Sequence, residues 1–226
     1  MQEEVFGLLH DAGIRLTFGR RGYRPQISLE QFDAKLLKPQ NVAEMLHVGS
    51  RDLGFAGADW VAELGLDLVE LMDTKLDPVR IVAAADPAFD PKGERFRVAT
   101  EYQRLTEAWL AEQGYDGQVV RTFGATEVFP PEDADCVVDN TATGETLRAN
   151  GLHIFATLMH SSTRLYASPH ALEDPAKRRG IENFAMVCKS VLDARRRVMI
   201  EANVPADRLD AVVAVLPGMG SPTVAT

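Results

Sequence analysis

The stretch ADCVVDNTATGETLRANGL, residues Ala134–Leu152, decides the fold of this chain. Its apolar start, Cys136–Val138, is rich in β-branched residues and too short for a helix, which predicts a buried strand. The character becomes polar at Asp139, and the helix-forming run Leu147–Ala149 then ends at Asn150-Gly151, a common helix C-terminal signal. The stretch therefore predicts a strand, a turn and a short helix.

The turn between this strand and helix has the composition of an anion-binding site. The first amides of a helix have no intrahelical acceptor, so they are available to bind an anion. Thr141, Thr143 and Thr146 add hydroxyl groups, and Gly144 lets the backbone approach an oxyanion closely. Asp139, at the carboxyl end of the strand, can accept hydrogen bonds from sugar hydroxyls. We interpret the turn as a site for a sugar phosphate; a threonine-rich helix cap without a ligand is the alternative.

Composition places the chain among ordinary globular proteins. It has 226 residues, of which 46% are hydrophobic and 25% charged, and its net charge of −9 argues against a nucleic-acid partner. An apolar run of about 18 residues, which would indicate a membrane span, is absent from the sequence. The two cysteines, Cys136 and Cys188, lie far apart, which favours a reducing cytoplasmic location over a disulfide framework. The histidine spacing predicts no structural metal.

Short apolar runs alternate with helical patterns along the chain, which predicts an α/β fold with a mainly parallel sheet. The other predicted strands are Phe32–Leu37, Leu53–Gly57, Leu68–Leu71, Val79–Ala85, Phe96–Ala99, Gln118–Arg121, Leu152–Leu158, Thr163–Ala167 and Val198–Val204. The predicted helices include Gln2–Ala12, one capped by Thr100, Arg179–Arg196 and one that begins at Pro205. Phe18–Tyr23 is predicted to be a basic loop. The segments Asp86–Gly93 and Pro169–Lys177 are candidate connections between two domains.

The run Asp139–Leu152 resembles the phosphoribosyl-pyrophosphate motif of ATP phosphoribosyltransferases, the first enzymes of histidine biosynthesis. The shared pattern is a strand ending in Val-Asp, then Thr-Gly-x-Thr-Leu, then Asn-Gly-Leu. Five further blocks are similar to segments of that family and stand in the family's order. They are Lys38–Val42, Asp52–Asp59, Arg97–Tyr102, Gly124–Val128 and Ser161–Leu165.

The resemblance implies two α/β lobes like those of a type II periplasmic binding protein, with the ligand cleft between them. Domain I would comprise residues 1–88 and 172–203, and domain II residues 89–171. Residues 204–226 resemble the beginning of the regulatory third domain of long-form members, which would be truncated. Family members usually begin with a strand and Pro-Lys-Gly-Arg before the helix at Gln2, so the resemblance implies an open place for that strand in the sheet of domain I.

The resemblance also implies the reaction of a glycosyltransferase of the pentosyl class. This reaction transfers the phosphoribosyl group of phosphoribosyl pyrophosphate to N1 of the ATP adenine and releases pyrophosphate. Mg²⁺ would be required as a cofactor that is bound with the pyrophosphate. The implied assembly is a homo-oligomer built from dimers, up to a hexamer, without a nucleic-acid or membrane partner.

The family's residue roles can be placed on this chain. Asp139 and Glu127 would bind the ribose hydroxyls and favour the cationic, oxocarbenium-like transition state. The remaining predicted substrate-binding residues are Thr141, Ala142, Thr143, Gly144, Glu145, Thr146, Asp59, Arg97, Tyr102 and Lys38. Three of these have structural alternatives: Asp59 as a helix N-cap, Arg97 in a surface ion pair and Tyr102 as a packed aromatic.

Two other functions are compatible with this sequence. One is a small-ligand binding protein on the same bilobal fold. The other is a non-catalytic or regulatory relative, or a fragment, that binds a nucleotide or a sugar phosphate without turnover. The complete turn motif and the lack of an export signal disfavour the binding protein. The sequence alone does not decide between the enzyme and the second alternative.

Overall fold

A six-stranded sheet lies at the centre of the chain. The structure is a computed structural model that describes residues 1–19, 22–198, 200 and 203–215. The strands are β1 (Leu16–Thr17), β2 (Gln26–Ile27), β3 (Leu53–Gly57), β4 (Val69–Ala85), β5 (Phe96–Thr100), β6 (Gly117–Arg121), β7 (Cys136–Thr141) and β8 (His153–Ala167). The helices are α1 (Gln2–Asp11), α2 (Pro39–His47), α3 (Ala58–Leu64), α4 (Gln103–Gln113), α5 (Glu145–Ala149), α6 (Pro175–Arg195) and α7 (Leu209–Val213).

Antiparallel pairing dominates this sheet. Its strand order is β3-β8-β4-β7-β5-β6, and the pairs β3–β8, β8–β4 and β4–β7 are antiparallel. Parallel pairing occurs at β7–β5 and β5–β6. The α/β fold class is confirmed, whereas the prediction of a mainly parallel sheet is wrong. It failed because two long neighbouring strands, β4 and β8, run in opposite directions through the middle of the sheet.

The length of β4 explains why the sequence suggested two strands where one exists. The predicted strands Leu68–Leu71 and Val79–Ala85 lie at the two ends of β4, and several polar residues separate the two apolar runs. Lys75 and Asp77 have φ angles of 61° and 45°, and the β4–β8 register shifts around them. Bulges of this kind bend a strand without ending it.

The same error affected β8, and one predicted strand does not form. Leu152–Leu158 and Thr163–Ala167 belong to β8, a single strand of 15 residues. The segment Phe32–Leu37 forms no strand and does not pair with the sheet. Instead, the Phe32 side chain packs against Phe184 of α6.

Two sets of buried side chains divide the sheet into two lobes. In the first lobe, β3 and the adjoining ends of β4 and β8 pack against α1 and α6 through the buried residues Leu8, Leu165 and Phe184. In the second lobe, the other ends of β4 and β8 join β5, β6 and β7, with Val98 and Val138 in its core. We call these the first and the second lobe. β4 and β8 pass through both.

The remaining predictions for the chain ends have mixed outcomes. The chain divides into two compact units, Met1–Leu192 and Asp193–Thr226. The predicted first helix is confirmed as α1. At the sheet, β3 is an edge strand among the described residues. No strand forms at the described positions of Val198–Val204, and the rest of that prediction lies outside the described residues. Arg20-Arg21 of the predicted basic loop and the predicted helix break at Pro217–Pro222 also lie outside them.

The second unit contains two short helical segments among its described residues. A 3-10 turn at Ala206–Arg208 follows Pro205 and leads into α7, which confirms a helical segment at this place. None of the helices that the structure describes has the length and apolar character needed to cross a bilayer.

Replacement of Leu165 tests the packing of the first lobe. This side chain of β8 is fully buried between α1 and α6. We expect Leu165→Ala to lower the free energy of unfolding by about 2–5 kcal/mol, because the change removes buried methyl groups and leaves a cavity. Chemical denaturation of the variant measures this effect. Met186→Ala, at a side chain of α6 that is 60% exposed, is the control. A loss at Leu165 no larger than the control's would contradict the described packing.

Candidate functional site

The turn between β7 and α5 has a shape fixed by its own hydrogen bonds. The Thr141 hydroxyl accepts a hydrogen bond of 2.8 Å from the Gly144 amide, and the Thr143 hydroxyl accepts one of 3.3 Å from the Glu145 amide. Gly144 has a φ of 80°, and a Cβ there would lie 3.2 Å from Ile154 Cδ1. A side chain at this position would therefore be strained by the backbone conformation and crowded by β8.

Donors for an anion remain at the start of α5. The amides of Thr146 and Leu147 have no hydrogen-bond acceptor among the described residues. The Arg148 guanidinium holds the turn from behind by donating to the carbonyl oxygens of Gly144 and Thr143, at 3.4 and 3.3 Å. The side chains of residues 142, 143, 145 and 146 are exposed. Both free amides lie in the first turn of α5, where the sequence predicts amides without an intrahelical acceptor.

Asp139, two residues before the end of β7, lies in a strongly acidic environment. Burial is the largest influence and raises the pKa of its carboxyl group to about 6. The backbone N–H of Asn140 opposes the rise by donating to Oδ1 at 2.7 Å, whereas the charges of Glu101 and Glu127 add to it. These three carboxylates make a negative field that would stabilise positive charge on a ligand.

A chain of hydrogen bonds connects Asp139 to the first lobe. The Asn140 side-chain amide donates to Asp139 Oδ1 at 3.3 Å and to the Tyr102 hydroxyl at 3.1 Å. The Tyr102 hydroxyl donates to Asp59 Oδ2 at 2.8 Å, and the Ser161 hydroxyl donates to Asp59 Oδ1 at 2.6 Å. The Asp59 amide in turn donates to Ser161 Oγ at 3.0 Å. The network joins α3, β8, β7 and the residue before α4.

Close packing holds Asp59 and Tyr102 in place. A Cβ at Gly57 would lie 2.3 Å from Asp59 Oδ1, so glycine is needed where this carboxylate folds back. The Trp60 ring stacks on Tyr102 with 4.7 Å between centroids. Burial and the charge of Asp59 raise the pKa of Tyr102, which keeps its hydroxyl protonated as a donor. Gly57 is the N-cap of α3, so Asp59 does not have the capping role that the sequence left open.

Arg97 and Lys38 lie apart from this cluster. Arg97 forms an ion pair with Asp135, with 3.1 Å between Nη2 and Oδ1. Asp135 directly precedes the first residue of β7, whereas the turn follows the last one. Because β7 has six residues, the two ends of the strand are about 20 Å apart. Lys38 is an exposed N-cap of α2, and its side chain makes no hydrogen bond or ion pair with a described residue. The substrate-binding roles of Arg97 and Lys38 stay predictions that this placement does not favour.

The structure thus brings together most of the predicted residues. Those near the network are Asp59, Tyr102, Glu127 and Asp139, with the turn residues Thr141, Ala142, Thr143, Gly144, Glu145 and Thr146 directly after it. Sequence reasoning gave no role to Asn140 and Ser161, although both stand in quoted motifs. The available signal was adjacency in the sequence, because Asn140 directly follows Asp139 and Ser161 begins the block Ser161–Leu165.

Replacement of Asp139 tests the electrostatics of the site. Because its pKa is about 6 in the folded chain and 3.8 in the unfolded reference, ionisation destabilises the fold as the pH rises through this range. We expect Asp139→Asn to raise the free energy of unfolding at pH 8 by about 1–3 kcal/mol. The gain should shrink as the pH falls from 6 to 4. Urea denaturation at several pH values measures it, and a variant that is less stable than the parent at pH 8 would contradict the assignment.

Comparisons with known proteins agree with this geometry. Residues 38–189 match the family model for ATP phosphoribosyltransferase, and residues 194–226 match that for the HisG C-terminal domain. An ATP phosphoribosyltransferase of Pelotomaculum thermopropionicum is 37% identical, with 99% of this chain and 81% of the relative covered. One from Prosthecochloris aestuarii is 36% identical, with 99% and 79% covered.

A solved structure supports the fold. It is the ATP phosphoribosyl transferase (HisG:HisZ) complex from Thermotoga maritima, in which one chain is 22% identical to this chain. The TM-score is 0.75, with 85% of this chain and 94% of that chain covered. The family model matches residues 38–189, and the named relatives align with 99% of this chain. This chain therefore belongs to the ATP phosphoribosyltransferase family.

Proposed function

We propose that this chain carries out its family's reaction at the turn after β7. The reaction transfers the phosphoribosyl group of phosphoribosyl pyrophosphate to N1 of the ATP adenine, releases pyrophosphate and is the first step of histidine biosynthesis. The observation that carries this function is the similarity to enzymes of that name over 99% of the chain. This similarity disfavours a relative that binds the ligand without turnover.

The turn supplies the site for the 5-phosphate in this proposal. The free amides of Thr146 and Leu147 and the nearby hydroxyl groups of Thr141 and Thr143 would donate hydrogen bonds to the phosphate oxygens. Gly144 keeps the backbone within reach of the ligand. Because the turn is already held by its own hydrogen bonds, little conformational entropy would be lost when the phosphate binds.

Asp139 and Glu127 act on the sugar in this proposal. The carboxylates accept hydrogen bonds from the ribose hydroxyls, and their charge stabilises the positive charge that develops at C1 as the bond to pyrophosphate breaks. The protein contributes orientation and charge stabilisation more than covalent chemistry. The partly buried position of Asp139 strengthens this effect, because a charge interacts more strongly where water is partly excluded.

The family implies Mg²⁺, and the oxygen ligands present near the turn fit a hard cation. Among the described residues no group of three or more histidine, cysteine or acidic side chains is arranged to hold a metal. Mg²⁺ commonly binds through one or two carboxylates and the phosphates of a substrate, and Asp139 and Glu127 can supply such carboxylates. When bound with pyrophosphate, Mg²⁺ neutralises the charge of that leaving group.

The other predictions for the whole protein remain part of this proposal. A dimer-based homo-oligomer and a cytoplasmic location are consistent with a biosynthetic enzyme of this family. The domain boundaries at residues 88, 171 and 203 stay predictions. The Thermotoga maritima relative is described as a complex of HisG with HisZ. A comparable protein partner is therefore a candidate for this chain as well.

Turnover by an Asp139 variant tests the proposed function. The parent chain with ATP, phosphoribosyl pyrophosphate and Mg²⁺ should form phosphoribosyl-ATP, which is followed by its absorbance. We expect Asp139→Asn to lower kcat by roughly 100-fold or more, because the charge that stabilises the transition state is removed. Asp133→Asn, which removes an exposed carboxylate from the segment before β7, is the matched control and should retain activity.

The outcomes separate catalysis from stability. An Asp139→Asn variant with the parent's kcat would contradict the role given to this carboxylate. A parent chain that binds both substrates and forms no product would contradict the proposed function itself.

A further inference from the structure

A cavity of about 450 Å³ opens where the two lobes meet. This volume lies within the roughly 300–1,000 Å³ of typical small-molecule sites. Its walls come from the middle of β4, the middle of β8 and the turn after β7. The residues that matter for its charge and for its connection to the turn are Asp73, Lys75, Arg80, Ala142, His160 and Arg164.

Two of the cations in this cavity already have acidic partners. Lys75 forms an ion pair with Asp73, and Arg164 forms one with Glu70. Burial disfavours the ionised form of Asp73, but hydrogen bonds from Lys75 and Ser162 outweigh it and lower its pKa to about 2. Asp73 therefore stays ionised at neutral pH and keeps Lys75 engaged.

Arg80 differs from these two cations. It is partly buried, and its guanidinium forms no ion pair or hydrogen bond with any residue that the structure describes. In a chain of net charge −9, an unpaired arginine at a cavity wall is a local source of positive potential. The five N–H donors of its guanidinium match phosphate oxygens in a bidentate geometry.

The strand register places Arg80 beside the turn. Arg80 pairs with Thr141 of β7 on one side and with His160 of β8 on the other. Side chains of directly paired residues lie on the same face of a sheet, so these three form a row across it. Ala142, the next residue of the turn, lines the same cavity.

We propose that Arg80 binds the diphosphate group of the phosphoribosyl donor in this cavity. The inference rests on the proposed function and adds a binding residue to it. The turn is assigned to the single 5-phosphate in the proposed function, whereas the diphosphate brings further negative charge that a cation would neutralise. Arg80 meets this need next to the turn, while the predicted candidate Arg97 is neutralised by Asp135 at the other end of β7.

Calorimetric titrations with three probes test this assignment: inorganic pyrophosphate, ribose 5-phosphate and ATP, each with Mg²⁺. We expect Arg80→Gln to weaken pyrophosphate binding about 10- to 100-fold, the effect of losing a charge-assisted contact. Binding of ribose 5-phosphate and of ATP should change less than about threefold. Arg80→Lys should lie between Arg80→Gln and the parent, because it keeps the charge without the planar fork. Arg179→Gln, an exposed arginine of α6, is the matched control and should behave as the parent.

Three results would overturn the assignment. The first is an Arg80→Gln variant that has the parent's unfolding midpoint and the parent's affinity for pyrophosphate. The others are a loss of affinity for ribose 5-phosphate or ATP that equals or exceeds the loss for pyrophosphate, and a parent chain that does not measurably bind pyrophosphate. If the parent forms product while Arg80→Gln binds pyrophosphate normally, this inference fails alone. If the parent forms no product but Arg80→Gln loses pyrophosphate selectively, the proposed function fails and the assignment of Arg80 stands.

Discussion

The buried carboxylate of Asp59 is the interaction on which the arrangement of the site depends. It is 5% exposed, and no described residue forms an ion pair with it. A buried carboxylate is costly unless its oxygens accept hydrogen bonds, and here the hydroxyl groups of Ser161 and Tyr102 donate them. These bonds fix the start of α3 relative to β8 and to the residue before α4. Asn140 extends this network, because its side-chain amide donates to the Tyr102 hydroxyl and to Asp139 Oδ1. The first lobe therefore helps to position a carboxylate of the second lobe.

Stability and chemistry oppose each other at Asp139. Burial and two neighbouring carboxylates make its ionised form unfavourable in the free protein, and the same field would favour a sugar that carries positive charge. Donors for anionic groups lie elsewhere, at the start of α5 and at Arg80. The site therefore separates the places suited to phosphate groups from the carboxylates suited to the reacting carbon. This separation is what transfer of a phosphoribosyl group requires.

Features that depend on neighbouring residues could be predicted from the sequence, and those that depend on distant pairing could not. The strand, turn and short helix of Ala134–Leu152 follow from local composition, and they form as predicted. The direction and length of β4 and β8 depend on pairing between residues that are 68 to 98 positions apart, and bulges disguise the continuity of both strands. Arg80 was missed for the same reason, because only the strand register places it opposite Thr141. Arg97 seemed suitable from its motif, but Asp135, which precedes β7, holds it away from the turn.

An NMR titration of the ¹⁵N-labelled chain with ribose 5-phosphate tests most directly whether the turn holds the phosphoribosyl group. The account predicts that the largest saturable amide shift changes fall on Thr146 and Leu147, whose N–H groups are free in the structure. The amides of Lys38 and Arg97 should change little, because both residues lie apart from the turn. Saturable binding with its largest shifts outside residues 139–148, or no binding by the folded chain, would contradict the account.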